Sequence, residues 1–129
     1  MSTILLIDDE KSILEVMGNS LGKAGYTVLS AGDGKEGLEL LRSEPVDVVV
    51  TDIIMPEKEG IETIIEIRAM AKDMPILAIS GGGRTRQMHF LEMSRNFGAD
   101  RVLQKPFKPS DLIAELDDLL KRTQPAPTE

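Results

Sequence analysis

Residues 4–10 read Ile4-Leu5-Leu6-Ile7-Asp8-Asp9-Glu10: four apolar side chains in an unbroken run, then three carboxylates in succession. An unbroken apolar run this short suits a strand buried on both faces, as in a parallel sheet covered by helices. Acids directly after such a strand stand where open α/β sheets bind ligands, at the carboxyl ends of their strands. Similar runs, rich in β-branched residues, recur at 27–29, 46–50, 76–79 and 102–103.

Between these runs the apolar residues fall at helical spacing. Ile13, Leu14, Met17, Leu21 and Ala24 give a first helix one apolar face, ended by Gly25. Leu38, Leu40 and Leu41 mark a second, broken before Pro45, and Ile61, Ile64, Ile65 and Ile67 a third, ending before Pro75. Phe90, Leu91, Met93 and Phe97 mark a fourth, closed by Gly98. Leu112, Ile113, Leu116, Leu119 and Leu120 mark a fifth, with Ser110 as the expected N-cap after Pro109. Five strands alternating with five helices predict an open, doubly wound α/β sheet with right-handed crossovers.

Composition narrows the function. A chain of 129 residues is one domain at roughly 100–200 residues each, large enough to bury about two-thirds of its unfolded surface. The absence of cysteine excludes a disulfide scaffold, cysteine zinc sites and thiol catalysis. With 15 basic and 22 acidic residues, a net charge of −7, one Tyr, three Phe and no Trp, direct nucleic-acid binding is not expected. No run approaches the roughly 20 apolar residues of a membrane helix. Residues 1–10 carry no secretory pattern, so a cytoplasmic protein without a membrane partner is expected. The domain is expected over 1–122. Residues 123–129, with Pro125 and Pro127, read as a disordered tail or linker stub, which leaves open whether the chain stands alone or is a fragment.

The residues just after each run are the informative ones. They are Asp8, Asp9 and Glu10 after the first, Thr51 and Asp52 after the third, Ser80 with Gly81-Gly82-Gly83 after the fourth, and Gln104, Lys105 and Pro106 after the fifth. The second run is followed only by Ser30, Ala31 and Gly32. Singly, each has a plainer role: the Asp pair as turn and N-cap, Asp52 as a turn residue ahead of Pro56, Ser80 as loop. Together they place three carboxylates, a hydroxyl and an ammonium on one rim. Crowded carboxylates repel one another. A hard cation such as Mg²⁺, which takes oxygen ligands from one or two carboxylates and a phosphate, relieves that repulsion. A carboxylate is also a nucleophile toward phosphorus, and a metal, a lysine and a hydroxyl can stabilise the charge that develops.

These stretches resemble the receiver domain of response regulators, the phosphoacceptor module of two-component signalling. The likeness rests on residues 4–10, on Asp52-Ile53-Ile54-Met55-Pro56 with Gly60, on Ile79-Ser80, on Gly98-Ala99-Asp100 and on Lys105-Pro106-Phe107, and runs from about Ile4 to Leu120. It implies a flavodoxin-like (βα)5 fold whose five-stranded parallel sheet has the order 2-1-3-4-5. It implies Asp52 as the phosphorylated residue. Mg²⁺ would be held directly by Asp9, mainly through water by Asp8, and by Asp52 and the backbone carbonyl of Ile54. Ser80 would donate its hydroxyl to a phosphoryl oxygen. Lys105, aimed by a cis Lys105–Pro106 peptide, would pair with the phosphoryl group. The partners implied are a sensor histidine kinase or phosphotransfer protein upstream. Downstream stands a protein target, or a second copy bound through the fourth helix and fifth strand. Such a chain is no enzyme beyond catalysing its own phosphorylation and dephosphorylation.

Three features depart from the family pattern. Val102 stands where relatives carry an aromatic that rotates on activation. Gly81-Gly82-Gly83 follow Ser80, with a longer span to Gly98 than usual, and predict a loop-driven switch. Ile54 stands where faster-hydrolysing relatives carry a polar residue, which predicts a long-lived phosphoryl group. His89 reads as a surface residue, Arg84 and Arg86 as a solvated helix start, and the methionines as core fillers. Three competing functions remain. A receiver-like module could act without phosphate, with Val102 in its favour. An aspartate-nucleophile phosphohydrolase needs a second acid where Ile54 stands. A flavin carrier would have Asp8-Asp9-Glu10 repelling its phosphate.

Overall fold

Successive side chains of a strand point to opposite faces, and along the first strand both sets are apolar. Leu5 and Ile7 enter one core and Ile4 and Leu6 the other, all essentially without exposure. The structure, a computed structural model, describes residues 2–53, 60–80, 98–104 and 107–123. Its elements are β1 (Thr3–Ile7), α1 (Lys11–Lys23), β2 (Thr27–Ala31), α2 (Gly34–Ser43), β3 (Val48–Asp52), α3 (Gly60–Met70), β4 (Ile76–Ser80), β5 (Arg101–Gln104) and α4 (Pro109–Thr123). Four of the five expected helices are among them. The stretch carrying Phe90, Leu91, Met93 and Phe97 lies outside the described residues, as do Gly81-Gly82-Gly83, Arg84, Arg86 and His89.

All strand pairs are parallel and the order is β2-β1-β3-β4-β5, as the family resemblance implies. One face is covered by α1 and α4 through Met17, Leu21, Leu112 and Leu116. The other is covered by α2 and α3 through Leu38, Ile61, Ile64 and Ile67. Each such side chain contributes about 1.5–3 kcal/mol of burial, so the two apolar layers hold the sheet between them. Gly25 ends α1 as expected, with the left-handed φ of 103° that favours glycine.

β1, β4 and β5 each extend by one residue at one or both ends of the runs read from the sequence, and three further boundaries differ for identifiable reasons. β3 runs two residues later than 46–50. The Asp47 N–H bonds to the Thr3 carbonyl at 2.8 Å and the Asp47 carboxylate accepts from Thr3 N–H at 2.7 Å, so the ladder proper begins at Val48. β2 continues to Ala31 because Ser30 and Ala31 still pair with Leu6 and Ile7. Ser110 is not the N-cap of the last helix. That helix already includes Pro109, whose missing N–H and fixed φ suit a first helical position. The Asp111 carboxylate instead reaches back to accept the Lys108 N–H at 3.0 Å.

Two side-chain contacts brace this frame and generate tests. Tyr26, just before β2, donates its hydroxyl to Asp117 of α4. Burial, then the hydrogen bond and the charge of Asp117, push its phenol well above the ordinary value near 10. A folded-state pKa above the unfolded one means the contact stabilises fully below pH 10. That contribution is lost as the pH rises through the folded value. Tyr26 is the only tyrosine and there is no tryptophan, so phenolate absorbance reports it alone. The folded chain should keep Tyr26 protonated at pH 10, where the denatured chain is about half ionised. Tyr26→Phe should lose less stability than wild type on going to more alkaline pH.

The second contact is steric. A Cβ on Gly37 of α2 would stand 2.5 Å from Cδ1 and 2.9 Å from Cγ1 of Ile7, the residue before Asp8. Gly37→Ala should therefore destabilise by about 1–3 kcal/mol through overpacking, against a helix-propensity gain of only about 0.5–1 kcal/mol. Ile7→Val removes the nearer carbon. In urea unfolding of the double variant it should recover part of the loss, whereas additive losses would show that the two positions do not press on each other.

Candidate functional site

The pairing of β1 with β3 builds the site. Their last shared rung is Ile7 with Thr51, so the residues leaving both strands emerge side by side. Asp8, Asp9 and Asp52 each bring a carboxylate oxygen to within 4.8 Å of the others. Asp8 and Asp52 are buried and Asp9 is exposed. Among the described residues this is where three metal-ligating side chains converge.

Local hydrogen bonds fix the two buried acids. Asp8 donates its N–H to the Ala31 carbonyl at 3.1 Å, and its Oδ1 accepts the Glu10 N–H at 3.0 Å. The Ile53 N–H bonds to the Ile79 carbonyl at 2.9 Å, and the Thr51 hydroxyl donates to the Asp52 carbonyl at 3.0 Å. The plainer reading of the Asp pair as a helix cap does not hold. The cap position of α1 belongs to Glu10, whose side chain makes no capping bond. Asp8 does shape the turn, and with Asp9 and Asp52 it forms an acidic cluster.

The electrostatics point to a cation. Two full negative charges 4.8 Å apart repel by about 3 kcal/mol at an effective dielectric constant near 20. The repulsion weighs most on the buried Asp8 and Asp52, because the exposed Asp9 is screened by water. A divalent ion among them converts repulsion into attraction. The donors are all carboxylate oxygens, which fits Mg²⁺ rather than a soft metal that prefers thiolate or imidazole.

Ser80 is the last residue of β4, and its backbone pairs with Gln104, one rung beyond Ile79 and Asp52. The Ser80 side chain, Ile54, Lys105 and the Lys105–Pro106 peptide lie outside the described residues. Val102 is half-buried in β5 opposite Ala78 and packs on the core covered by α2 and α3.

Two residues have structural roles that the sequence reading did not assign, Arg68 at the edge of the sheet opposite the site and Thr51 beside it. Arg68 of α3 donates to the carbonyls of Lys72 and Met74, both at 2.7 Å, and also to the Gly98 carbonyl and the Asp100 carboxylate. Asp100 in turn accepts the Ile76 N–H at 2.8 Å. The Gly98-Ala99-Asp100 stretch thus ties α3 to the start of β4. Gly98 has φ 125°, and a Cβ there would meet Arg68 Nε at 3.2 Å. The one available signal was a single arginine in an isoleucine-rich helix. Thr51 is the other, a hydroxyl at the end of a valine run, and it is fully buried.

No helix among the described residues is long and apolar enough to cross a membrane. Residues 4–117 match the family model for the response regulator receiver domain. A response regulator named MprA, from Mycolicibacterium vanbaalenii, is 36% identical over 122 residues, covering 95% of this chain and 52% of that protein. The chain thus spans about half the length of the curated relatives it matches. A response regulator receiver domain protein from Clostridium thermocellum superposes with a TM-score of 0.87 at 30% identity, covering 95% of this chain and 96% of that one. A CheY-like receiver domain protein from Methanospirillum hungatei gives 0.86 at 28% identity, with the same coverage of each chain.

The acidic cluster makes a direct prediction about metal affinity. Asp8 already spends one oxygen on Glu10 N–H, whereas Asp9 is exposed and open to an incoming ion. In calorimetric titration with Mg²⁺, Asp9→Ala should weaken binding by about tenfold or more and Asp8→Ala by less. Equal losses would contradict this division of roles.

Proposed function

The chain belongs to the response-regulator receiver family, and on that premise we propose that it accepts a phosphoryl group on Asp52 and uses it to switch protein contacts. The observation that carries this reading is the buried Asp52 at the end of β3, with carboxylate oxygens of Asp8 and Asp9 within 4.8 Å. The donor is a phosphohistidine of a sensor histidine kinase or phosphotransfer protein. An Asp52 carboxylate oxygen attacks phosphorus, the P–N bond to the imidazole breaks, and the imidazole nitrogen leaves with the bonding pair. The product is an aspartyl-phosphate.

Asp8, Asp9, Asp52 and the Ile54 carbonyl would hold Mg²⁺, which neutralises charge on the phosphoryl oxygens. The Ser80 hydroxyl donates to one of those oxygens and the Lys105 ammonium pairs with another, roles taken from the family motif at those positions. Burial of Asp52 limits water at the acyl-phosphate, and Ile54 offers no side chain to orient a hydrolytic water. The chain therefore catalyses only its own phosphorylation and slow dephosphorylation. We place it in the cytoplasm, where kinases of this type present their phosphohistidine. Its output passes to a protein target or a second copy, through the sequence around Phe90 and β5. Phosphorylation adds about −1.5 to −2 charges at one rim, enough to reorganise neighbouring loops.

Intact mass after treatment with acetyl phosphate and Mg²⁺ tests the reading. The wild-type chain should gain one phosphoryl group, and Asp52→Asn should gain none. A gain that persists in Asp52→Asn, or no gain in wild type, refutes the assignment.

A further inference from the structure

Thr51 ends a run of three valines, Val48-Val49-Val50, and sits at 0% exposure. A buried hydroxyl is expensive to leave without a partner. Here it donates to the carbonyl oxygen of Asp52 at 3.0 Å. The ladder tells where that carbonyl points. Val49 and Ile53 send their N–H groups to the Pro75 and Ile79 carbonyls, on the β4 side. Backbone groups alternate sides along a strand, so Asp52 turns its own toward β1. The β1–β3 pairing ends at Ile7 with Thr51. The carbonyl gripped by Thr51 therefore lies just past the last rung, on the side from which Asp8 and Asp9 leave β1.

On the reading of Asp52 as phosphoacceptor, we propose that Thr51 is a positioning residue for the site. Its hydroxyl fixes the Asp52–Ile53 peptide, and through it the aim of the Asp52 carboxylate at the cation and at the incoming phosphorus. Asp52 is the last residue of β3, and its peptide to Ile53 is held on the β4 side by the Ile53 N–H to the Ile79 carbonyl, so the Thr51 hydroxyl supplies a further hold on the β1 side. In-line attack requires the reacting oxygen held in a narrow range of position and angle. A side-chain hydroxyl one residue upstream supplies that restraint without entering the reaction. Valine in its place would preserve shape, β-branching and strand preference while removing only the donor.

The test uses the full chain carrying Thr51→Val or Thr51→Ser. Three readouts are taken: the rate of phosphoryl gain from acetyl phosphate at saturating Mg²⁺, the Mg²⁺ Kd by calorimetry, and the thermal midpoint. Thr51→Val should slow phosphoryl gain and weaken Mg²⁺ binding, each by about three- to tenfold, the effect expected of one hydrogen bond. Its thermal midpoint should fall only slightly, the added methyl offsetting part of the cost of taking this donor from the Asp52 carbonyl. Thr51→Ser should restore both rate and Kd. If Thr51→Val matches wild type in rate and Kd, the proposal is overturned. It is equally overturned if the midpoint falls in step with the rate and serine restores nothing, since the hydroxyl is then only structural. Should Thr51→Val fail to fold, Thr51→Ala carries the same comparison with serine. If wild type takes no phosphoryl group on Asp52 while Kd still tracks the hydroxyl, the phosphoacceptor reading falls and the positioning role at the metal site stands.

Discussion

The pairing of β1 with β3 at the centre of the sheet is the constraint on which everything else depends. Parallel strands end on the same edge, so whatever follows their carboxyl ends is gathered there. Because these two strands are hydrogen-bonded neighbours, the acids after Ile7 and at the end of β3 are brought within ångströms of one another. Had β4 lain between them, the two strands would stand about 9–10 Å apart, twice the spacing of paired neighbours. No shared cation could then bridge the carboxylates. The strand order is therefore part of the site as much as the carboxylates are.

That gathering sets stability against function. The strands that carry the acids are among the most completely buried parts of the molecule, with Ile4 to Ile7 and Val48 to Val50 at 1% exposure or less. The apolar layers on both faces supply the cohesion that tolerates like charges at one edge. The polar braces elsewhere lie away from that edge. Tyr26 with Asp117, Arg101 with Glu115 and Asp118, and Arg68 with Asp100 hold outer elements to the frame. Exposed pairs of this kind contribute little individually. Their value lies in fixing where helices sit relative to the sheet.

Much of this was legible in the residues. The unbroken apolar run of Ile4 to Ile7 announces burial on both faces because a one-sided strand would alternate, and the helical periodicities around Met17 and Leu116 identify the layers. Asp8, Asp9 and Asp52 could be read as one site because parallel topology sends all strand ends to the same rim. Strand order came only from the family likeness, since local periodicity carries no information about which strands pair. The displaced start of β3 was hidden because it is set by a bond between Asp47 and Thr3, remote in sequence. Ser110 misled because an N-cap preference is local, whereas Pro109 and the backward reach of Asp111 fix the helix start together. The roles of Arg68 and Thr51 were missed because most of their partners are backbone carbonyls, which leave no mark on side-chain pattern.

The reciprocal bond of Thr3 with Asp47 has a kinetic consequence. It opens the β1–β3 ladder and joins positions 44 residues apart. Closing a loop of that length costs about 3 kcal/mol of chain entropy before any contact repays it. The α1, β2 and α2 segments lie inside that loop and can organise locally beforehand, with β1–β3 docking as a later and slower event. The acidic cluster needs β1 and β3 paired, so a cation held there would find its full set of ligands only in the closed sheet. Bound ion would therefore act on the unfolding rate and leave the folding rate nearly unchanged, making occupancy a brake on loss of the native state.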